Sequence, residues 1–214
     1  MPLAMALEPM AIGLAITSWA FDLFYSLVLF SAVFALATGK RYRAFVLALG
    51  FLTLIATWLV HLAPKEWSLQ TQLTGHGLGF CFMAFAAYAT VREVIRAHDV
   101  DLDTILGSIA GYLLLGSAWA ALYSMLHLVS PDSFEMGALL PQFLNGEKAR
   151  FPVFIYYSFV TLTTLGYGDM TPVTQAARTL SWLEAVAGQF YIATLVAATI
   201  SVLTAKAVRR RHAG

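Results

Sequence analysis

Charged residues make up only 12% of this 214-residue chain, whereas a typical soluble domain carries roughly 25%. Apolar residues take their place at 59%, and the mean hydropathy is +0.73. So little polar surface cannot cover a domain in water, which excludes an ordinary soluble fold and makes this a membrane protein. Cysteine is nearly absent as well. Cys81 stands alone inside an apolar run, so an internal disulfide is excluded and the redox compartment is unmarked. No basic tract exists beyond "RRRH", Arg209 to His212, and the formal net charge is +1. Nucleic acid is not an expected partner; a short basic tail of this kind fits anionic cytoplasmic lipid. The first eleven residues hold no Lys or Arg and the following apolar stretch outruns a signal core, so no cleaved signal peptide is expected. No nucleophile–base pair or phosphate-binding loop is visible, so the chain is not expected to be an enzyme or to carry a cofactor.

Long apolar runs are what the sequence has instead. About 20 such residues cross the roughly 30 Å hydrocarbon core as a helix. Five stretches qualify: Met10–Thr38, Arg43–His61, Gln72–Val91, Thr104–Val129 and Ala176–Val208. A sixth, Pro152–Leu162, is too short to span. The expected fold is all-α and transmembrane, with about five spanning helices plus one re-entrant helix and loop. Residues 1–103 hold three leading spans and a cytoplasmic linker, and 209–214 form a basic cytoplasmic tail. Within 104–208 the reading is outer helix 104–129, extracellular loop 130–151, short helix 152–163, irregular stretch 164–168 and inner helix 176–208. Lys40, Arg41, Arg43, Arg92, Arg96, Lys206, Arg209, Arg210 and Arg211 fall on one side, against Lys65, Lys148, Arg150 and Arg178 on the other. The positive-inside rule then makes the chain multi-pass in the plasma membrane (the inner membrane, if bacterial), N-terminus outside and C-terminus cytoplasmic.

The run "TLTTLGYGDMTP", Thr161 to Pro172, follows the short helix. Irregular backbone at membrane depth is tolerated only where protein buries it or where it lines a watery path. Gly166 and Gly168 reach conformations barred to other residues, so successive carbonyls can turn to one side. Such oxygens replace the water shell of a dehydrating cation. Thr164 adds a hydroxyl at the inner end of the row. One strand cannot surround an ion but four about an axis can, which points to a homotetramer.

The full "TTLGYGD", Thr163, Thr164, Leu165, Gly166, Tyr167, Gly168 and Asp169, resembles the selectivity-filter signature of the potassium channel superfamily. The resemblance extends over roughly 104–208. It implies a passive potassium-selective channel in which Thr164, Leu165, Gly166 and Tyr167 coordinate the permeant K+. It implies that Tyr156 and Tyr157 brace the filter, that Pro172 and Val173 continue the signature, and that Gly188, twenty residues after Gly168, is an inner-helix hinge. Close helix packing is the other reading of that glycine. Two departures stand out: Leu165 replaces the usual Val or Ile, and Val160 replaces a Glu that in some members pairs with the aspartate after the filter. Rival readings are a poorly selective cation channel on the same scaffold and a non-conducting or transport-complex subunit.

Other polar residues carry open readings. Glu184 lies inside the last span, where it either braces the filter from behind or makes an inert interhelical bond. Gln189, Ile192, Val196 and Ile200 share a stripe that lines the inner cavity or packs on the outer helix. Asp22, in the first span, is an interhelical hydrogen bonder or a polar site. The third span has no basic residue before Arg92, so a voltage sensor is not expected. His61, His76 and His127 are interfacial or packed residues rather than a metal cluster, and are the groups to titrate if protons gate the chain. "HDVDLD" lacks the glycine and distal Glu of a calcium loop; Asp103 reads as the N-cap of the outer helix.

Overall fold

A computed structural model describes residues 43–62, 68–96, 102–136 and 150–213. The first expected span with Asp22, and the linker acids Asp99 and Asp101, lie outside the described residues. Among the described residues the order is α1 (Arg43–Leu62), α2 (Ser68–Arg96), α3 (Leu102–Val129), a 3-10 turn (Pro131–Ser133) and β1 (Phe134–Met136). Then follow α4 (Arg150–Leu162), β2 (Met170–Pro172) and α5 (Gln175–Ala213). Among the described residues two stretches are long and apolar enough to cross a membrane, Thr104–Val129 in α3 and Gln175–Ala197 in α5. The helices α1 and α2 occupy the places of the expected second and third spans.

A helix in lipid must satisfy its hydroxyls internally, and the serines of α3 do so on its own backbone. Ser108, Ser117 and Ser124 each donate to the carbonyl four residues back, at 2.7, 2.9 and 2.9 Å. The helix starts at Leu102, so Asp103 lies in its first turn and is not the cap before it.

Pro152 falls in the first turn of α4, where its missing N–H has no intrahelical partner to lose. Val153, Phe154, Tyr157 and Ser158 are buried along one side of this helix, the spacing of an amphipathic stripe. Val153, Phe154 and Tyr157 meet Ala120 and Tyr123 of α3, Phe134 of β1, Met170 of β2 and Ala177 of α5 in one core. A second cluster joins Phe82 and Met83 of α2 to Ala118 of α3, with Leu49 and Leu54 of α1 against it. Phe151 touches both clusters and stacks on His76 of α2 at 5.5 Å. The front helices are thereby seated on the back of α3 and α4.

The loop expected between the outer and short helices is not wholly irregular, and the fold is not purely helical. In it β1 pairs antiparallel with β2, Phe134 opposite Pro172, Glu135 opposite Thr171 and Met136 opposite Met170. The Val173 N–H donates to the Ser133 carbonyl at 2.9 Å and prolongs the pairing. Phe134 points in and Glu135 out, the period-two alternation of a half-buried strand.

Candidate functional site

The α4 helix ends at Leu162, and its last carbonyls are reused by the stretch that follows. Thr163 N–H donates to Phe159 at 3.1 Å and Thr164 N–H to Thr161 at 2.9 Å. The N–H groups of Leu165 and Gly166 both donate to the Val160 carbonyl, at 2.9 and 3.2 Å. The backbone leaves the helix curled over its own end.

From there the sign of φ alternates. Thr164 (+58°), Gly166 (+58°) and Gly168 (+77°) are left-handed, while Leu165 and Tyr167 between them are not. Alternation between left- and right-handed residues turns consecutive carbonyls to the same side instead of opposite sides. Threonine at positive φ is uncommon and strained. Two hydroxyl contacts accompany it: Thr164 Oγ1 donates to the Thr163 carbonyl at 2.7 Å and accepts from Gln189 Nε2 at 3.4 Å. Thr163 to Asp169 are all exposed.

The outer end is tied down by Tyr156, whose hydroxyl donates to Asp169 Oδ2 at 2.6 Å; Oδ1 accepts the Met170 N–H at 3.0 Å. The hydrogen bond to the carboxylate pushes the Tyr156 phenol up to about 12. With Val160 in place of a carboxyl, Tyr156 is the side-chain partner Asp169 has. Tyr157 reaches α5 and not the filter stretch: its hydroxyl meets Ser181 Oγ at 2.6 Å, and Ser181 donates to the Ala177 carbonyl at 2.8 Å.

Glu184 is fully buried behind α4. Its Oε2 accepts from the Tyr123 hydroxyl of α3, and its Oε1 is paired with Ser158 Oγ of α4. The carboxyl joins outer, short and inner helices at one point and does not reach Asp169. Gly188 is buried against α4, where an added Cβ would run into the Leu162 carbonyl oxygen and sit 3.0 Å from Leu162 Cδ1. Tyr112 donates to the same carbonyl at 3.3 Å. Gln189, Ile192 and Val196 are exposed on α5, and Gln189 bonds to Thr164. Ile200 lies farther along the same helix. His76 and His127 each pack on an aromatic ring, Phe151 and Phe154. No group of three metal-binding side chains occurs among the described residues.

Residues 111–205, which begin inside α3 and end inside α5, match a family model described as an ion channel. This match supports the resemblance to the potassium channel superfamily that "TTLGYGD" carries. No curated protein sequence and no solved structure matches the chain. The match takes in α4, the alternating stretch and α5 as far as residue 205, and leaves α1 and α2 outside it.

Sequence reasoning overlooked Tyr123, Ser158 and the β1–β2 pairing. Tyr123 did carry a signal, a phenol in the middle of an apolar span, since a buried hydroxyl needs a partner. The other two had none.

Proposed function

We propose that the protein is a potassium-selective channel that conducts K+ passively, down its electrochemical gradient. The observation that carries this reading is the alternation of φ at Thr164, Gly166 and Gly168 within "TTLGYGD". Oxygens of Thr164, Leu165, Gly166 and Tyr167 form the ion row, and rings of four come from a homotetramer with its axis beside Gly166. The short α4 dips into the membrane with its negative C-terminal end toward the ion path. α1 and α2 cross the membrane with the first apolar stretch, giving five spans, a plasma-membrane location and a cytoplasmic C-terminus.

The test is flux from liposomes holding the purified full-length chain, loaded with potassium or sodium. Potassium release that sodium does not share supports the proposal. Equal release of both overturns selectivity and favours a general cation channel, and no release of either favours a non-conducting subunit.

A further inference from the structure

The hydrogens around Glu184 do not balance if its carboxyl is ionised. Ser158 Oγ lies 2.7 Å from the Gly116 carbonyl oxygen and also against Glu184 Oε1. A serine hydroxyl has one hydrogen. Were both neighbours pure acceptors, one of these two contacts would join two oxygens with no proton between them. Tyr123 offers no relief, because its single hydrogen goes to Oε2.

We infer that Glu184 is a neutral carboxylic acid, and that its own proton completes a one-way chain binding the three helices behind the filter. The Oε1–H of Glu184 donates to Ser158 Oγ, Ser158 donates to the Gly116 carbonyl, and Tyr123 donates to Oε2. Every contact then has one hydrogen and one acceptor. This carboxyl is a positioning residue. It acts on the filter through α4, whose Val160 carbonyl, two residues beyond Ser158, anchors the Leu165 and Gly166 N–H groups.

The surroundings agree. The titratable groups facing the carboxyl are Tyr123 and Tyr112 from α3 and Tyr157 from α4. No Lys, Arg or His among the described residues acts on it, so nothing there compensates a buried negative charge. If the proton leaves for solvent, Ser158 must turn to the carboxylate and abandon Gly116, and the seam must accommodate an unpaired charge. Filter support is therefore complete with Glu184 protonated and is lost as pH rises through its titration.

The link to ion flow rests on the proposed function; the protonation state does not, and the test separates the two. Infrared difference spectra of the full chain in liposomes, wild type minus Glu184→Gln, are recorded at neutral pH in water and heavy water. A protonated-carboxyl band that shifts on deuteration and is missing from the variant is expected. Tyr123→Phe should move that band upward, because the acid carbonyl loses its donor. A difference spectrum holding only ionised-carboxylate bands overturns the inference.

Glutamine reproduces the neutral acid: its NH2 donates to Ser158 and its oxygen accepts from Tyr123. Glu184→Gln should melt close to wild type and Glu184→Ala clearly below it. A Gln variant that falls as far as the Ala variant overturns the inference, since an ionised acceptor is what glutamine cannot replace. Raising the pH should diminish wild-type potassium flux as the band disappears and leave Glu184→Gln flux level. Wild type and Glu184→Gln both keep the three tyrosines, so their titration is common to the comparison. A band that titrates while wild-type flux stays level, or is absent throughout, overturns the role in filter support and leaves the protonation state decided by the band.

Discussion

Thr164 has a Cβ at φ +58° and Gly166, with the same φ, has none. A left-handed residue with a Cβ costs roughly 1–2 kcal/mol, so the chain already tolerates that strain once, at the threonine that uses its hydroxyl. At Gly166 an added Cβ meets nothing within 4 Å in its own chain. Gly166→Ala should therefore fold, at a cost of about 1–2 kcal/mol, and fail in the ion row, where the backbone relaxes and carbonyls turn away. Loss of potassium flux, or entry of sodium, in a properly assembled variant is the expected reading; unchanged selectivity removes the filter assignment. At the outer mouth, Tyr156→Phe deletes one hydrogen bond to Asp169, a change of about 0.5–1.5 kcal/mol when such a bond is shielded and less at this exposed site. Global stability should hardly move while potassium current declines faster during sustained conduction. Current that persists as in wild type speaks against Tyr156 as a brace. Its phenol is raised from 10.0 to about 12, so the contact is complete below the ordinary tyrosine range and is lost only as pH climbs toward about 12. Two of the three left-handed positions are legible in the sequence, because a glycine stands at Gly166 and at Gly168. Thr164 was read as a hydroxyl, and its φ was hidden, since threonine gives no sign of a left-handed backbone.

Two elements change their meaning once packed. Gly188 resembles a hinge in sequence, yet in the fold it is the place where α5 approaches the end of α4 too closely for a side chain. The two roles make different forecasts. Under packing, Gly188→Ala pushes the Leu162 carbonyl and the filter behind it, costing about 1–3 kcal/mol as overpacking does. Its melting temperature should fall together with potassium flux. A variant with wild-type stability and altered opening alone would instead support a hinge. The second element is β1. Phe134 sits edge-on to Tyr123, Phe154 and Tyr157, with centroids 5.6, 5.3 and 5.2 Å away. It pins the strand pair that holds the segment just after the filter. Phe134→Ala should lower stability by about 3–5 kcal/mol if the site cannot collapse, as read from the thermal midpoint. An unchanged midpoint would mean that β1 is not anchored by this ring. Helices were readable from apolar runs, to within two residues at the ends of α3 and α4 and at the start of α5, while α5 runs five residues past the expected 208. The three-residue strand was not, because its partner lies 36 positions away and nothing local announces it.

At the scale of the whole molecule, the exposed parts of the channel domain say what it needs next. The residues at the proposed ion row are open in a single chain, with Leu165 54% and Tyr167 67% exposed. Lipid cannot cover them, because their backbone is irregular and its polar groups require protein or water. On α5 the large side chains Trp182, Phe190 and Val196 are exposed too, an apolar face that lipid or a second copy could cover. The filter stretch decides between these covers: only neighbouring copies can close a ring of carbonyls from one strand per chain. The front helices do not compete for that place, since their contacts run through Phe82, Met83 and Phe151 to the back of α3 and α4. Under the proposed function, four chains stand about one axis, with α1 and α2 on the far side of α3 and α4. Native mass measurement in detergent should give four chains per particle. Cysteine introduced at Phe190, in a Cys81→Ser background, should crosslink between chains and not within one. A particle of two chains with full potassium flux would contradict the fourfold ring, because two strands leave each ion half-coordinated.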